Sequence, residues 1–147
     1  MNYDNIEILF VEDSMDDAML TIRALAKSGF TNKLLHVKDG AEALDFIYCK
    51  GDYALRNSKE HPKLILLDLK MPKVSGMQVL EKLKSDPMHK STPVVILTSS
   101  QEDPDIAKCY ALGANSYIVK PVDSNNFFNT IKEIGMYWMI LSQPDIK

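Results

Sequence analysis

The chain lacks any apolar stretch near the roughly 18 residues that a membrane-spanning helix needs. Its first residues, Met1-Asn2-Tyr3-Asp4, lack the basic-then-apolar layout of a secretory leader. Cysteine is scarce, with Cys49 and Cys109 the 2 in 147 residues. They stand far apart and without metal-like spacing, which predicts reduced, partly buried thiols in a cytoplasmic protein rather than a disulfide frame or a zinc site. Basic clusters are missing too. Lys and Arg number 17 against 20 Asp and Glu, a formal charge of -3, which argues against a nucleic-acid-binding face. The 3 histidines, His36, His61 and His89, are scattered, none with a second ligand nearby in sequence. There is no internal repeat, no low-complexity tract and no sign of a second domain. What is present is ordinary for one globular domain with a real core: 46% hydrophobic and 25% charged residues.

Four apolar runs stand out, each ending in a polar group. Ile6 to Val11 ends in Glu12-Asp13. Leu64 to Leu67 ends in Asp68. Pro93 to Leu97 ends in Thr98-Ser99-Ser100, and Ser116 to Val119 ends in Lys120-Pro121. Continuous apolar runs of this length suit strands buried on both faces, as in a parallel sheet. Leu34 to Val37 reads as one more short strand.

Helix-like segments alternate with these strands, so the expected architecture is a doubly wound α/β sheet. Ser14 is placed to cap the first helix, with Asp16 and Asp17 at the positive end of its dipole. Ala18, Ile22 and Leu25 share one face, and Gly29 ends it. Asp39-Gly40 turns into a helix with Leu44, Ile47 and Tyr48 on a face. Lys50 to Pro62 is a long polar connection and a candidate contact loop. Val79, Leu80 and Leu83 point inward from the next helix. Asp103-Pro104 reads as an N-cap followed by proline at the first helical position, with Ile106, Tyr110 and Gly113 marking that helix and its stop. A last helix is expected from about Ser124 to Leu141.

In an open α/β sheet, functional groups gather at the carboxyl ends of the strands. Three carboxylates, a hydroxyl and an ammonium are therefore expected at one edge, and like charges there call for a cation. Mg²⁺ takes oxygen ligands and keeps several waters while using one or two carboxylates. Asp13 and Asp68 suit direct ligation, Glu12 ligation through water, and the Lys70 backbone carbonyl another oxygen. Such an ion also bridges an incoming phosphoryl group. Asp68 then serves as nucleophile, forming an aspartyl phosphate. Lys120 pairs with phosphoryl oxygens as a point charge and Thr98 donates its hydroxyl. Asp16, Asp17 and Asp39 read as caps or helix-start charges, and the Lys70 side chain as solvated.

These residues, in this order and at these strand ends, resemble the receiver domains of two-component response regulators. The marks are Glu12-Asp13, Asp68 with Pro72 and Gly76 downstream, Thr98, Tyr117 and Lys120-Pro121. They cover roughly Ile6 to Ile134. The resemblance implies a flavodoxin-like five-stranded parallel sheet of order 2-1-3-4-5, with helices on both faces. It implies a sensor histidine kinase or histidine phosphotransfer protein as phosphodonor. Phosphorylation would then draw Thr98 inward, with Tyr117 following. The Lys120-Pro121 bond is expected to be cis. The long connection and the aromatic final helix resemble stand-alone regulators of phytochrome-type kinases, so 1–147 is expected to be a single receiver domain without an output domain. Such a domain is a phosphoacceptor with self-phosphorylation and autodephosphorylation at most, not an enzyme in the usual sense.

Small departures from the commonest pattern bear on phosphoryl lifetime. Glu12 stands where aspartate is frequent, Lys70 lies two residues past the acceptor, and Ser99 stands where the smallest residues are usual. A magnesium-dependent phosphatase of the haloacid dehalogenase type is the rival reading. It needs an aspartate two residues after the nucleophile, where this chain has Lys70. At the chain end, Met136 to Leu141 is apolar without interruption. A helix apolar all round needs cover on every side. The expectation is a homodimer through the fourth-helix, fifth-strand, fifth-helix face, including Tyr137, Trp138 and Ile140.

Overall fold

A computed structural model describes residues 3, 5–27, 33–71 and 73–136. The positions of Gly29 and Pro72 lie outside the described residues, as do Tyr137, Trp138, Ile140 and Leu141. Along the chain run β1 (Ile8–Val11), α1 (Met15–Lys27), β2 (Leu34–Val37), α2 (Gly40–Ile47), a 3-10 turn (Gly51–Tyr53) and β3 (Leu64–Asp68). Then come α3 (Gly76–Lys84), β4 (Val94–Thr98), α4 (Asp105–Leu112), β5 (Ser116–Val119) and α5 (Ser124–Glu133). The strands pair in parallel in the order β2-β1-β3-β4-β5. This is the flavodoxin-like arrangement expected from the sequence.

Strand alternation divides the core in two. Leu9, Val11, Ile65, Leu67, Val94 and Ile96 pack with Phe46, Val79, Leu80, Leu83 and Cys109 beneath α2, α3 and α4. Ile8, Phe10, Leu64, Leu66, Val95 and Leu97 pack with Ala18, Leu25, Phe127 and Ile131 beneath α1 and α5. The three central strands are buried along their whole length, which is why they read as unbroken apolar runs rather than alternating ones.

The helix faces depart from expectation in places. Ile22 is exposed, and Thr21 takes the buried position between Ala18 and Leu25. In α2 the fully packed residues are Ala43, Phe46 and Ile47, while Leu44 and Tyr48 are half-buried. Helix α4 begins at Asp105 with Pro104 flanking it, one position later than read, yet the Asp103 carboxylate still accepts the Asp105 N–H at 2.9 Å. Inside the long polar connection, Arg56 organises the chain. It lies 4.0 Å over the Phe46 ring and donates to the Phe46 and Glu60 carbonyls. Cys49 is half-buried and Cys109 buried, both as free thiols. The Lys120-Pro121 bond is cis. None of the described helices is long and apolar enough to cross a membrane.

Candidate functional site

Asp68 ends β3 in register with Leu97 of β4, and Thr98 ends β4 in register with Val119. The Lys120 N–H reaches the Thr98 carbonyl at 2.7 Å, which extends the ladder one residue past β5. Glu12 follows β1, and its N–H meets the Val37 carbonyl. Parallel register thus sets all four positions at one edge. Alternation sends Glu12, Asp68 and Lys120 to the α1/α5 face and Thr98 to the α4 face.

Loop geometry closes the edge from behind. A Cβ built on Gly76 would stand 2.2 Å from the Asp68 carbonyl oxygen and 2.7 Å from the Leu69 Cα. Only glycine lets α3 start this close to β3. The Gly76 N–H bonds the Leu69 carbonyl, and a Ser75–Gln78 capping box fixes the helix start.

The result is a cleft of about 180 Å³ lined by residues that include Glu12, Asp13, Asp17, Asp68, Thr98 and Lys120. Carboxylate oxygens of Glu12, Asp13 and Asp68 lie within 4.8 Å of one another, with Glu12 and Asp68 buried and Asp13 exposed. Lys120 Nζ stands 3.0 Å from Glu12 Oε1, 3.3 Å from Asp68 Oδ2 and 3.5 Å from Asp17 Oδ2. One ammonium therefore faces three carboxylates. Burial alone would lower Lys120, but Glu12 and Asp68 outweigh it and hold the ammonium above its usual range. Burial pushes the Glu12 carboxyl up to about 7, with Asp68 adding to the rise and Lys120 opposing it. The Glu12 Oε1 atom is shut off from solvent, and among the described residues no donor meets it at hydrogen-bonding angles.

This donor set fits a hard divalent cation. Its ligands are all oxygen, the negative charge exceeds what one lysine balances, and exposed Asp13 leaves the ion its waters.

The structure brings Glu12, Asp13, Asp68, Thr98, Lys70 and Lys120 to one cleft. Tyr117 is half-buried away from it, against the core beneath α4, its ring 6.3 Å from that of Tyr110. The Lys70 ammonium is mostly solvated and stands 3.8 Å from Asp103. Two participants go beyond the sequence reading. Asp17, taken as a helix-start charge, is also a Lys120 partner; its place four residues after Asp13, one helical turn on, was the available signal. Asp103 accepts the Thr98 hydroxyl at 3.2 Å besides capping α4, which a cap pattern alone does not reveal.

A five-stranded parallel α/β domain with a carboxylate- and lysine-lined cleft at its strand ends has the architecture of the receiver class of signalling domains. The chain belongs to the response regulator receiver domain family, whose model matches residues 8–132. It is 36% identical over 132 residues to the response regulator Rcp1 of Synechocystis sp., covering 90% of this chain and 88% of that one. The Mn²⁺-bound form of Rcp1 superposes with a TM-score of 0.72 at 34% identity, over 95% of this chain and 97% of that one. The bacteriophytochrome response regulator RtBRR gives 0.86 at 45% identity, over 95% and 83%. The phosphorylated cyanobacterial phytochrome response regulator RcpA gives 0.74 at 38%, over 96% and 97%. Receiver domains are signalling domains that bind Mg²⁺ or Mn²⁺ at an acidic pocket.

Proposed function

We propose that the chain is a single receiver domain over residues 1–147 that accepts a phosphoryl group on Asp68 in a cytoplasmic two-component phosphorelay. The donor is a sensor histidine kinase, of phytochrome type, or a histidine phosphotransfer protein. The observation that carries this reading is the buried Asp68 carboxylate at the end of β3, 3.3 Å from Lys120 Nζ and clustered with Glu12 and Asp13. An Asp68 oxygen attacks phosphorus in line with the phosphohistidine P–N bond. That bond breaks with its electron pair staying on nitrogen, the proton on the other ring nitrogen keeps the departing imidazole neutral, and an acyl phosphate forms.

Asp13, Asp68 and the Lys70 carbonyl would hold Mg²⁺, with Glu12 acting through water, and the ion would supply charge neutralisation to the phosphoryl oxygens. Lys120 exchanges its contact with Asp68 for a phosphoryl oxygen, and Thr98 donates its hydroxyl to another. Tyr117 follows Thr98, remodelling the face of α4, β5 and α5. Relatives named as phytochrome response regulators, covering at least nine-tenths of this chain, favour the phytochrome assignment. A homodimer through Tyr137, Trp138 and Ile140 belongs to the same proposal, with sedimentation of the free and phosphorylated protein as its check.

Phosphotransfer from a panel of purified, autophosphorylated histidine kinases of the source organism tests the assignment. Rapid Mg²⁺-dependent transfer from a phytochrome-type kinase is expected. Preferred transfer from a kinase of another sensor class would overturn the phytochrome part alone.

A further inference from the structure

We infer that Asp103 is a positioning residue: it holds the Thr98 hydroxyl on the α4 side of the cleft, in competition with the phosphoryl group, and ties that hydroxyl to the first turn of α4. This rests on the proposed phosphoacceptor role of Asp68. Thr98 is buried, and its hydroxyl has one proton to give. Two acceptors lie in reach, Asp103 Oδ2 at 3.2 Å and the Ser100 carbonyl at 3.3 Å. The carboxylate is the stronger, because a charge-assisted bond exceeds a neutral one. Asp103 is itself ionised and fixed. The Asp105 N–H, foremost, holds its carboxyl below the usual range, with Thr98 and Lys70 helping and burial opposing.

Asp103 thus joins three groups. Its Oδ1 takes the Asp105 N–H at 2.9 Å, and its Oδ2 takes the Thr98 hydroxyl and faces Lys70 Nζ at 3.8 Å. The Lys70 contact is long and mostly solvated, so it adds little. The Thr98 link carries the effect. A phosphoryl group on Asp68 competes for the same proton. When Thr98 turns to it, Asp103 keeps its bond to α4 and loses its bond to the sheet. The first turn of α4 is then released from β4 at the moment of phosphorylation.

The test compares Asp103→Asn in two backgrounds. The asparagine keeps an oxygen for the Asp105 N–H but presents an amide donor, which cannot accept the Thr98 proton. Beryllofluoride with Mg²⁺ serves as the phosphoryl mimic. Its affinity should rise roughly 5- to 10-fold in Asp103→Asn, the low end of coupling between linked sites. In the Thr98→Val protein the same substitution should change it less than about twofold, since contacting pairs are the non-additive ones. No gain, or an equal gain in both backgrounds, overturns the inference. Three-bond couplings to the Thr98 γ-methyl, measured without metal or phosphate, give a readout independent of phosphoacceptance. They should report one side-chain rotamer in the unmodified protein and a mixture in Asp103→Asn and Asp103→Ala. Unchanged couplings overturn the inference. Failure of the unmodified protein to bind beryllofluoride would overturn the role of Asp68, and the couplings would then decide the role of Asp103 alone.

Discussion

Without metal, the protein should lose stability as pH rises through about 7, and Glu12→Gln should abolish that loss. The cause is one buried carboxyl. Glu12 is 1% exposed, and burial raises its pKa from 4.5 to about 7. The folded value lies above the unfolded one, so the folded protein holds the extra proton between those limits. The stability tied to that proton is complete below 4.5 and is lost as pH rises through about 7. At about 1.4 kcal/mol per pH unit, the full displacement corresponds to roughly 3 kcal/mol, an upper bound. Glutamine cannot ionise and stays on the low-pH plateau.

His89 titrates nearby with the opposite sign. Burial lowers it, against the pull of Asp86, so its contribution is lost as pH falls. It is common to both proteins and cancels in their difference. Urea unfolding followed by circular dichroism, with a chelator, at about pH 5 and about pH 8.5 measures that difference. Glu12→Gln should gain up to about 3 kcal/mol on the unmodified protein between the two conditions. A difference that stays constant with pH would refute the reasoning. Mg²⁺ at high pH should restore the unmodified protein more than the variant, because an ion that binds only the folded state stabilises it by mass action.

Other perturbations have equally definite outcomes. Asp13→Asn should weaken Mg²⁺ binding in calorimetry while raising the melting temperature of the metal-free protein, since it removes one of the clustered carboxylates. Gly76→Ala should cost about 3 kcal/mol or more in urea unfolding, because its Cβ meets the Asp68 carbonyl oxygen at 2.2 Å and that backbone belongs to the central sheet. Cys109, whose thiol burial pushes up to about 11, should resist alkylation in the native protein at pH 8 and react only on unfolding, as peptide mapping will show.

The sheet was legible because its strands are buried on both faces. Leu64 to Leu67 carries no polar interruption until Asp68, and that break marks where the strand reaches the cleft at the functional edge. The same logic placed Glu12, Thr98 and Lys120. Their convergence follows from parallel register, in which strand ends align whatever the loops do. Helix faces were harder to read. A one-residue error in phase, about 100° of helix rotation, exchanged Ile22 for Thr21, because an isolated threonine gives no apolar signal although it is buried here. Asp17 reads as a helix-start charge and Asp103 as a cap, and a residue with a sufficient local role gives little reason to look for a second partner. Their links to Lys120 and Thr98 are tertiary. The Asp103 link depends on how the loop after β4 folds over the cleft, which no spacing along the chain encodes, whereas Asp17 stands one helical turn after Asp13 on α1.

The central claim is that Asp68 is the phosphoacceptor. Incubation with acetyl phosphate and Mg²⁺, followed by intact-mass measurement and mapping of the labelled peptide, tests it directly. One acid- and base-labile phosphoryl group should appear on Asp68, vanish with chelator, and be absent from a folded Asp68→Asn protein. Labelling of Asp68→Asn at the unmodified rate, or a phosphoryl group mapped to Asp13 or another residue, would contradict the account.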